Sequence, residues 1–179
     1  FDASSQDYDR IEKLIGFGSG PWYRHQALLR AGLAHGMSVI DVGMGTGLVA
    51  REAIKIVGSP SLITGVDPSV GMVSHAQLPA GVTVLRGTGE AIPLPDGNGD
   101  FLSMGFALRH LSSLDAAFGE FHRVMRPGAR LCLLEITRPR SRFVQALLKV
   151  YMKAIVPGIA TLWTGRADTR RMWRYYWDT

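Results

Sequence analysis

The stretch Asp41-Val42-Gly43-Met44-Gly45-Thr46-Gly47 sets an acid and three glycines where a short apolar run gives way to an amphipathic one. Gly43 and Gly45 let backbone pass close to a ligand where a Cβ would clash, and Gly47 allows tight helix–strand contact. A dinucleotide site would be expected to read G-x-G-x-x-G and to bring pyrophosphate to a helix N-terminus. Here the spacing is G-x-G-x-G, and the carboxylate of Asp41 would repel a diphosphate. S-adenosylmethionine (SAM) carries an ammonium and a sulfonium, which favour such a carboxylate. Asp67 follows about 20 residues after the loop, where an acid can accept hydrogen bonds from both ribose hydroxyls. Its other reading is an N-cap for a helix after Pro68, and the two roles are compatible.

Those residues need strands that end and helices that begin at the right places. Val39, Ile40 and Val42 predict a first strand, and Leu48 to Val57 a helix stopped by Gly58-Ser59-Pro60. Leu62 to Val66 predicts a second strand closed by Asp67, with Pro68 opening a short helix through about Gln77. Val82 to Leu85 and Phe101 to Phe106 predict the third and fourth strands. Ser113 to Met125 reads as a helix ended by Arg126-Pro127-Gly128, and Leu131 to Ile136 as an apolar fifth strand. Alternating strands and helices imply an α/β fold: a Rossmann-like, mostly parallel sheet of order 3-2-1-4-5 with helices on both faces. Its ligand crevice is expected at the carboxyl ends of strands 1 and 4. The expected organisation is an N-terminal helical segment over 1–36 (His25 to Leu33 helical), a core over 37–139 and a helical cap over 140–179. The cap begins with an amphipathic helix from Ser141 to Ile155.

Composition sets outer bounds. With 46% hydrophobic and 20% charged residues, the chain has the profile of a globular protein rather than a disordered one. The single cysteine, Cys132, leaves no internal disulfide framework and fits a reducing, cytoplasmic compartment. No apolar stretch reaches the roughly 18 residues of a membrane span. His25, His35, His75 and His122 are scattered without ligand spacing, so no metal is expected. The net charge of +5 is uneven, with −2 on residues 1–137 and +7 on residues 138–179.

Taken together, the motifs resemble a known family. Val39 to Gly47 resembles the first motif of class I SAM-dependent methyltransferases, and Gly65-Val66-Asp67-Pro68-Ser69 with Met72 their second. Gly87-Thr88-Gly89-Glu90-Ala91-Ile92-Pro93-Leu94-Pro95-Asp96, then Asp100-Phe101, is similar to their adenine-side loop. Phe106-Ala107-Leu108-Arg109-His110, His122 to Gly128, Leu134-Glu135 and Pro139 resemble the ubiquinone/menaquinone C-methyltransferases of the UbiE/COQ5 type. Phe1-Asp2, Tyr8-Asp9, Phe17-Gly18 and Trp22 fit that group's opening.

The resemblance implies SAM as cofactor, held by Asp41, Gly43, Gly45, Gly47, Asp67, Pro68, Met72, Thr88, Gly89, Glu90 and Phe106. Met72 would pack on adenine and Tyr8 would close over the cofactor. It also implies that the end of strand 4 faces the transferred methyl group. That makes Arg109 and His110 the candidate catalytic pair: His110 a general base, Arg109 a partner for a phenolate or a relaying water. A structural ion pair for Arg109 and a surface position for His110 are the competing readings. Three departures stand out. Thr88 replaces an Asp near the adenine amino group, and His110 replaces an Asn. The family also continues with a helix and two further strands, so C-terminal strands are expected to be missing here.

The expected acceptor is a small apolar or aromatic molecule such as a quinone precursor. Another phenolic, lipid or natural-product acceptor is the alternative, and a non-catalytic nucleotide-binding module a third reading. No Asn-Pro-Pro-Tyr/Phe stretch follows strand 4, so nucleic-acid amines are disfavoured and no nucleic-acid partner is expected. Trp163, Trp173, Trp177, Tyr151, Tyr175 and Tyr176 fall in the basic segment. They suit a helical cap and lid, or peripheral contact with an anionic membrane.

Overall fold

A computed structural model describes residues 18–135 and 139–151. The chain divides between Glu135 and Ile136 into two compact units. Five strands form the first unit's sheet: β1 (Val39–Val42), β2 (Ile63–Asp67), β3 (Thr83–Arg86), β4 (Gly99–Gly105) and β5 (Met125–Leu134). Every neighbouring pair is parallel and the order is β3-β2-β1-β4-β5, as the alternating pattern predicts.

Alternation along β1 and β4 sends side chains to two cores, one on each face. Val39 and Phe101 join Leu28 of helix α1 (Gly20–Arg30) and Val49, Ala50, Ala53 and Val57 of helix α2 (Leu48–Val57). Ile40, Val42, Leu102 and Met104 instead meet Ala117, Phe121 and Val124 of helix α4 (Leu114–Val124). By the same parity Asp41 and Ser103 fall on the α1/α2 face. Between those helices the buried Glu52 lies 3.3 Å from His25 Nδ1 and 2.6 Å from Lys55 Nζ. Phe101 and Phe121 are almost fully buried, and truncating either to Ala is expected to cost roughly 3–5 kcal/mol.

The element ends differ from the sequence expectation in instructive ways. Helix α1 occupies Gly20–Arg30 rather than His25 to Leu33, because Pro21 fits a first helical turn and Gly32 takes a left-handed φ of 88°. The short helix α3 covers only Val70–Ser74, capped by the Ser69 side chain accepting from Met72 N–H at 3.1 Å. Asp67 is therefore not the cap. Helix α4 stops at Val124, and β5 begins at once with Met125. Arg126-Pro127-Gly128 lies inside the strand, at an irregularity where Met125 pairs with Gly99 but Arg130 with Phe101. Pro127 can give no ladder N–H, so the extra residues bulge there.

The irregularity brings Arg126 to the amino end of the sheet. Its guanidinium donates to Asp100 Oδ1 at 2.6 Å, while the Ser38 N–H and hydroxyl donate to Oδ2 at 2.9 and 2.8 Å. These donors, Ser38 first, hold the Asp100 carboxyl at a pKa of about 2. Nearby, Arg123 fastens the loop before β4, donating to the carbonyls of Leu94 and Ile92 at 2.8 and 2.9 Å.

In the second unit the described residues form one helix, α5 (Arg142–Val150), shorter than the expected span from Ser141 to Ile155. The expected last residue of strand 5, Ile136, lies outside the described residues, as do Phe1-Asp2, Tyr8-Asp9, Phe17 and the tail aromatics from Trp163 to Trp177.

Candidate active site

The carboxyl ends of β1 and β2 present two aspartates in contrasting settings. Asp41 is 1% exposed and receives the Ser103 hydroxyl on Oδ1 at 2.7 Å, directly across the β1–β4 ladder. Its Oδ2 is buried with no hydrogen-bond partner among the described residues. Burial pushes the Asp41 pKa up to about 7, against the pull of the Ser103 hydroxyl and the Ala50 N–H. The Asp67 charge adds to the rise and Arg24 opposes it. A buried carboxylate oxygen in this state costs free energy until a cation or donor reaches it. The acid therefore fits a ligand that brings positive charge.

Asp67 instead binds backbone. Its Oδ2 accepts the Gly45 N–H at 2.7 Å and its Oδ1 the Ser69 N–H at 2.8 Å. One side chain thus pins the glycine loop to the turn after β2. The carboxylate keeps lone pairs beyond these two bonds, enough to accept from hydroxyls as well.

The loop geometry explains the glycines. Gly43 and Gly45 adopt φ of 66° and 56°, left-handed values that a side chain would strain. A Cβ on Gly43 would stand 2.7 Å from Ala107, and one on Gly45 3.2 Å from the Met72 methyl. Met72 therefore packs beside the loop. Gly47 is the left-handed N-cap of α2, and a Cβ there would meet Leu78. Pro68 is exposed on the turn between Asp67 and Ser69.

After β3, Thr88 and Ala91 close a small turn through a β-bridge. Gly89 faces inward, since a Cβ would stand 2.6 Å from Leu111. The Glu90 carboxylate accepts the Ser112 N–H at 2.6 Å, a bond that lowers its pKa more than any other influence. Both residues thus have packing or anchoring contacts that fix this turn against the segment leading into α4.

Across the sheet, β4 ends in Gly105 and Phe106. Phe106, at φ 58°, is the only non-glycine residue with positive φ among the described residues. Its N–H donates to the Leu134 carbonyl at 2.7 Å, and the Arg24 guanidinium lies 5.5 Å from its ring centroid. Strain of this kind concentrates at functional positions. Leu108–His110 then form a 3-10 turn. Arg109 donates to Glu135 at 2.7 Å, so the ion pair weighed from sequence is present and fixes the guanidinium. Burial lowers the His110 pKa below its ordinary 6.5, and the Arg109 charge adds to the shift. Glu135 and Asp67 pull the other way. The charges of Arg109, Glu135 and Asp67 thus all act on His110, and burial favours its neutral imidazole.

The chain is similar to known proteins in sequence and in fold. The model of the ubiE/COQ5 methyltransferase family matches residues 1–177. The chain belongs to that family. The ubiquinone/menaquinone biosynthesis C-methyltransferase UbiE of Shewanella pealeana is 27% identical over 176 residues, covering 94% of this chain and 70% of that protein. The demethylmenaquinone methyltransferase of Lactiplantibacillus plantarum is 30% identical over 164 residues, covering 88% and 69%. A crystal structure of a SAM-dependent methyltransferase from Aquifex aeolicus superposes with a TM-score of 0.62 at 29% identity, covering 75% of each chain.

Three residues in contact with the candidate site residues were not singled out by the sequence reading. Arg24 is 3% exposed, four residues before the buried Leu28. A charge on the apolar face of a helix was the available signal. Ser103 is a hydroxyl in a strand otherwise apolar from Phe101 to Met104, and register alone places it opposite Asp41. Glu135 stands immediately after β5, and its signal was an acid inside the otherwise apolar run expected as strand 5.

Proposed function

We propose that this methyltransferase binds SAM against Asp41, Asp67 and the glycine loop, and methylates a ring carbon of a phenolic or quinol acceptor. The observation that carries the reading is the buried Asp41 carboxylate with one oxygen left over, at the end of the strand that opens into the glycine loop. An ammonium group satisfies that oxygen. Asp67, held in place by the Gly45 and Ser69 N–H groups, would accept from ribose hydroxyls. Met72 would lie against adenine, and the Thr88-Gly89-Glu90 turn would bound that end. Phe106 would stand between the cofactor and the acceptor. The Arg24 guanidinium adds the positive charge that a zwitterionic amino-acid group needs beside Asp41.

When bound, SAM supplies an electrophilic methyl group on a sulfonium. The rest falls to the protein. A neutral imidazole at His110 accepts the acceptor's hydroxyl proton on a ring nitrogen, which raises electron density on the neighbouring ring carbon. Arg109, fixed by Glu135, stabilises the resulting phenolate oxygen. The methyl group's bond to sulfur breaks as its bond to the ring carbon forms, so the cofactor product would leave as a neutral thioether. The ring proton then passes to water, which restores aromaticity, and His110 returns its proton to the phenolate oxygen. The relatives named for ubiquinone and menaquinone biosynthesis support a quinone precursor as acceptor. His110, in the position where the quinone group resembled above has Asn, favours a second reading in which the acceptor is another phenolic or lipid molecule.

Calorimetry with SAM, its demethylated product and NAD tests the cofactor. SAM and the product should bind and NAD should not; NAD binding without SAM binding sinks the proposal. Labelled SAM with a panel of quinols and simple phenols then identifies the acceptor.

A further inference from the structure

Helix α5 carries an apolar stripe that is exposed. It is capped by its own Ser141 side chain, and the Gln145 amide donates to the Pro139 carbonyl at 2.7 Å. None of its residues is buried. Phe143, Leu147 and Val150 follow one another at i, i+4 and i+7, with Val144 beside them, and are 73, 56, 58 and 45% exposed. On the 3.6-residue period Arg142 and Lys149, seven apart, share one flank of that stripe, and Arg140 precedes it. No Asp or Glu occurs from 136 to 167, while Arg138, Arg140, Arg142, Lys149, Lys153 and Arg166 do.

We propose that α5 lies in the headgroup layer of an anionic bilayer, its Phe143–Leu147–Val150 stripe in the acyl boundary and its cations on lipid phosphates. Charge decides the occupant. A protein groove would need acids to meet this flank and would gain nothing from an acid-free run extending beyond the helix. An anionic lipid surface is attracted by every cation near it, about fivefold in binding per residue, and takes up an exposed apolar stripe without requiring a matching shape. The reading of the acceptor as a quinone precursor gives this docking a purpose, since such a molecule is apolar. The docking itself does not depend on that reading, because cofactor calorimetry and membrane binding are separate readouts.

Co-sedimentation of the full chain tests the idea. Vesicles of equal parts phosphatidylglycerol and phosphatidylcholine should pellet the protein, vesicles of phosphatidylcholine alone should not, and high salt should release it. Arg140→Gln with Arg142→Gln should weaken binding about fivefold per cation removed. Phe143→Glu with Leu147→Glu should abolish it while SAM binding is kept. Equal binding to both vesicle types, or no binding to either, overturns the proposal. So does a Phe143→Glu/Leu147→Glu chain that fails to fold, since the stripe is then core. A dimer in sedimentation velocity that this pair dissolves would identify a second copy as the occupant and overturn it equally.

Discussion

Asp100 and Asp41 stand on adjacent strands, β4 and β1, at opposite ends of one sheet, and their surroundings push them in opposite directions. At the amino end, Ser38 and Arg126 supply donors to both oxygens of Asp100, and its pKa falls to about 2. At the carboxyl end, the Ser103 hydroxyl and the Ala50 N–H do not offset the burial of Asp41, whose Oδ2 has no partner among the described residues and whose pKa is about 7. A polar group that folding fully satisfies contributes to stability. One that folding leaves short is kept in spite of its cost, and its compensation comes from outside the chain. The same contrast separates Arg123, bonded to backbone carbonyls of the loop before β4, from His110, whose pKa is lowered by burial and a cation.

The largest expected effect lies at the carboxyl end. His110→Ala should lower kcat by about 100-fold or more if the imidazole is the base, with melting temperature and SAM affinity unchanged. Turnover that survives loss of both His110 and Arg109 would remove the assignment and weaken the contrast. Next comes a crossed pair. Asp41→Asn should weaken SAM about 10- to 100-fold without destabilising the apo protein, because it deletes a buried charge. Asp100→Asn should leave SAM affinity alone and lower the melting temperature. If both variants lose the same property, the two ends do not differ as described.

The pH dependence of the two acids should also run in opposite senses. Asp41 has a raised folded pKa, so its contribution to apo stability is full below about pH 4, the unfolded value, and is lost as pH rises through about 7. Asp100 has a depressed one, so its contribution is present above about pH 4 and is lost as pH falls toward 2. A ligand ammonium needs the ionised Asp41, so SAM affinity should fall roughly tenfold per pH unit below 7. In Asp41→Asn that slope should vanish. A slope that persists in the variant would transfer it to another group.

The contrast between the ends was only half visible in the sequence. Asp41, Asp67 and the glycines could be placed because strand ends and loop starts follow from local periodicity and turn residues. The strand order followed from alternation and handedness. Ser103 could not be recognised as the partner of Asp41, since the two are 62 residues apart and meet only through the register of β1 and β4. Arg24 is hidden for a related reason: a helix expected to start at His25 leaves Arg24 outside it, whereas the helix from Gly20 places it one turn before the buried Leu28. The Arg126-Pro127-Gly128 triplet reads locally as a helix stop, and its place inside β5 is set by pairing with β4. Glu90 and Gly89 match a ligand-loop motif, yet both also make contacts that hold the loop to Ser112 and Leu111.

The smallest effect should come from Arg126→Ala, and it probes the amino end most directly. The side chain is half exposed, so solvent screens its charge and the loss should shift melting by a few degrees at most. Its placement matters more than its strength. Arg126 donates to Asp100 Oδ1 and, through Nε, to the Gly97 carbonyl at 3.2 Å, tying the β5 irregularity to the loop that enters β4. Removing it should raise the Asp100 pKa from about 2 only part of the way to its ordinary value, because the Ser38 donors, which outweigh Arg126, remain. The acid limb of the stability curve should therefore move upward while SAM affinity and its slope below pH 7 stay put. An Arg126→Ala chain whose SAM affinity falls with its stability would mean that the two ends of the sheet are coupled through β4, and that the carboxyl end relies on the amino end's hydrogen bonds to hold its shape.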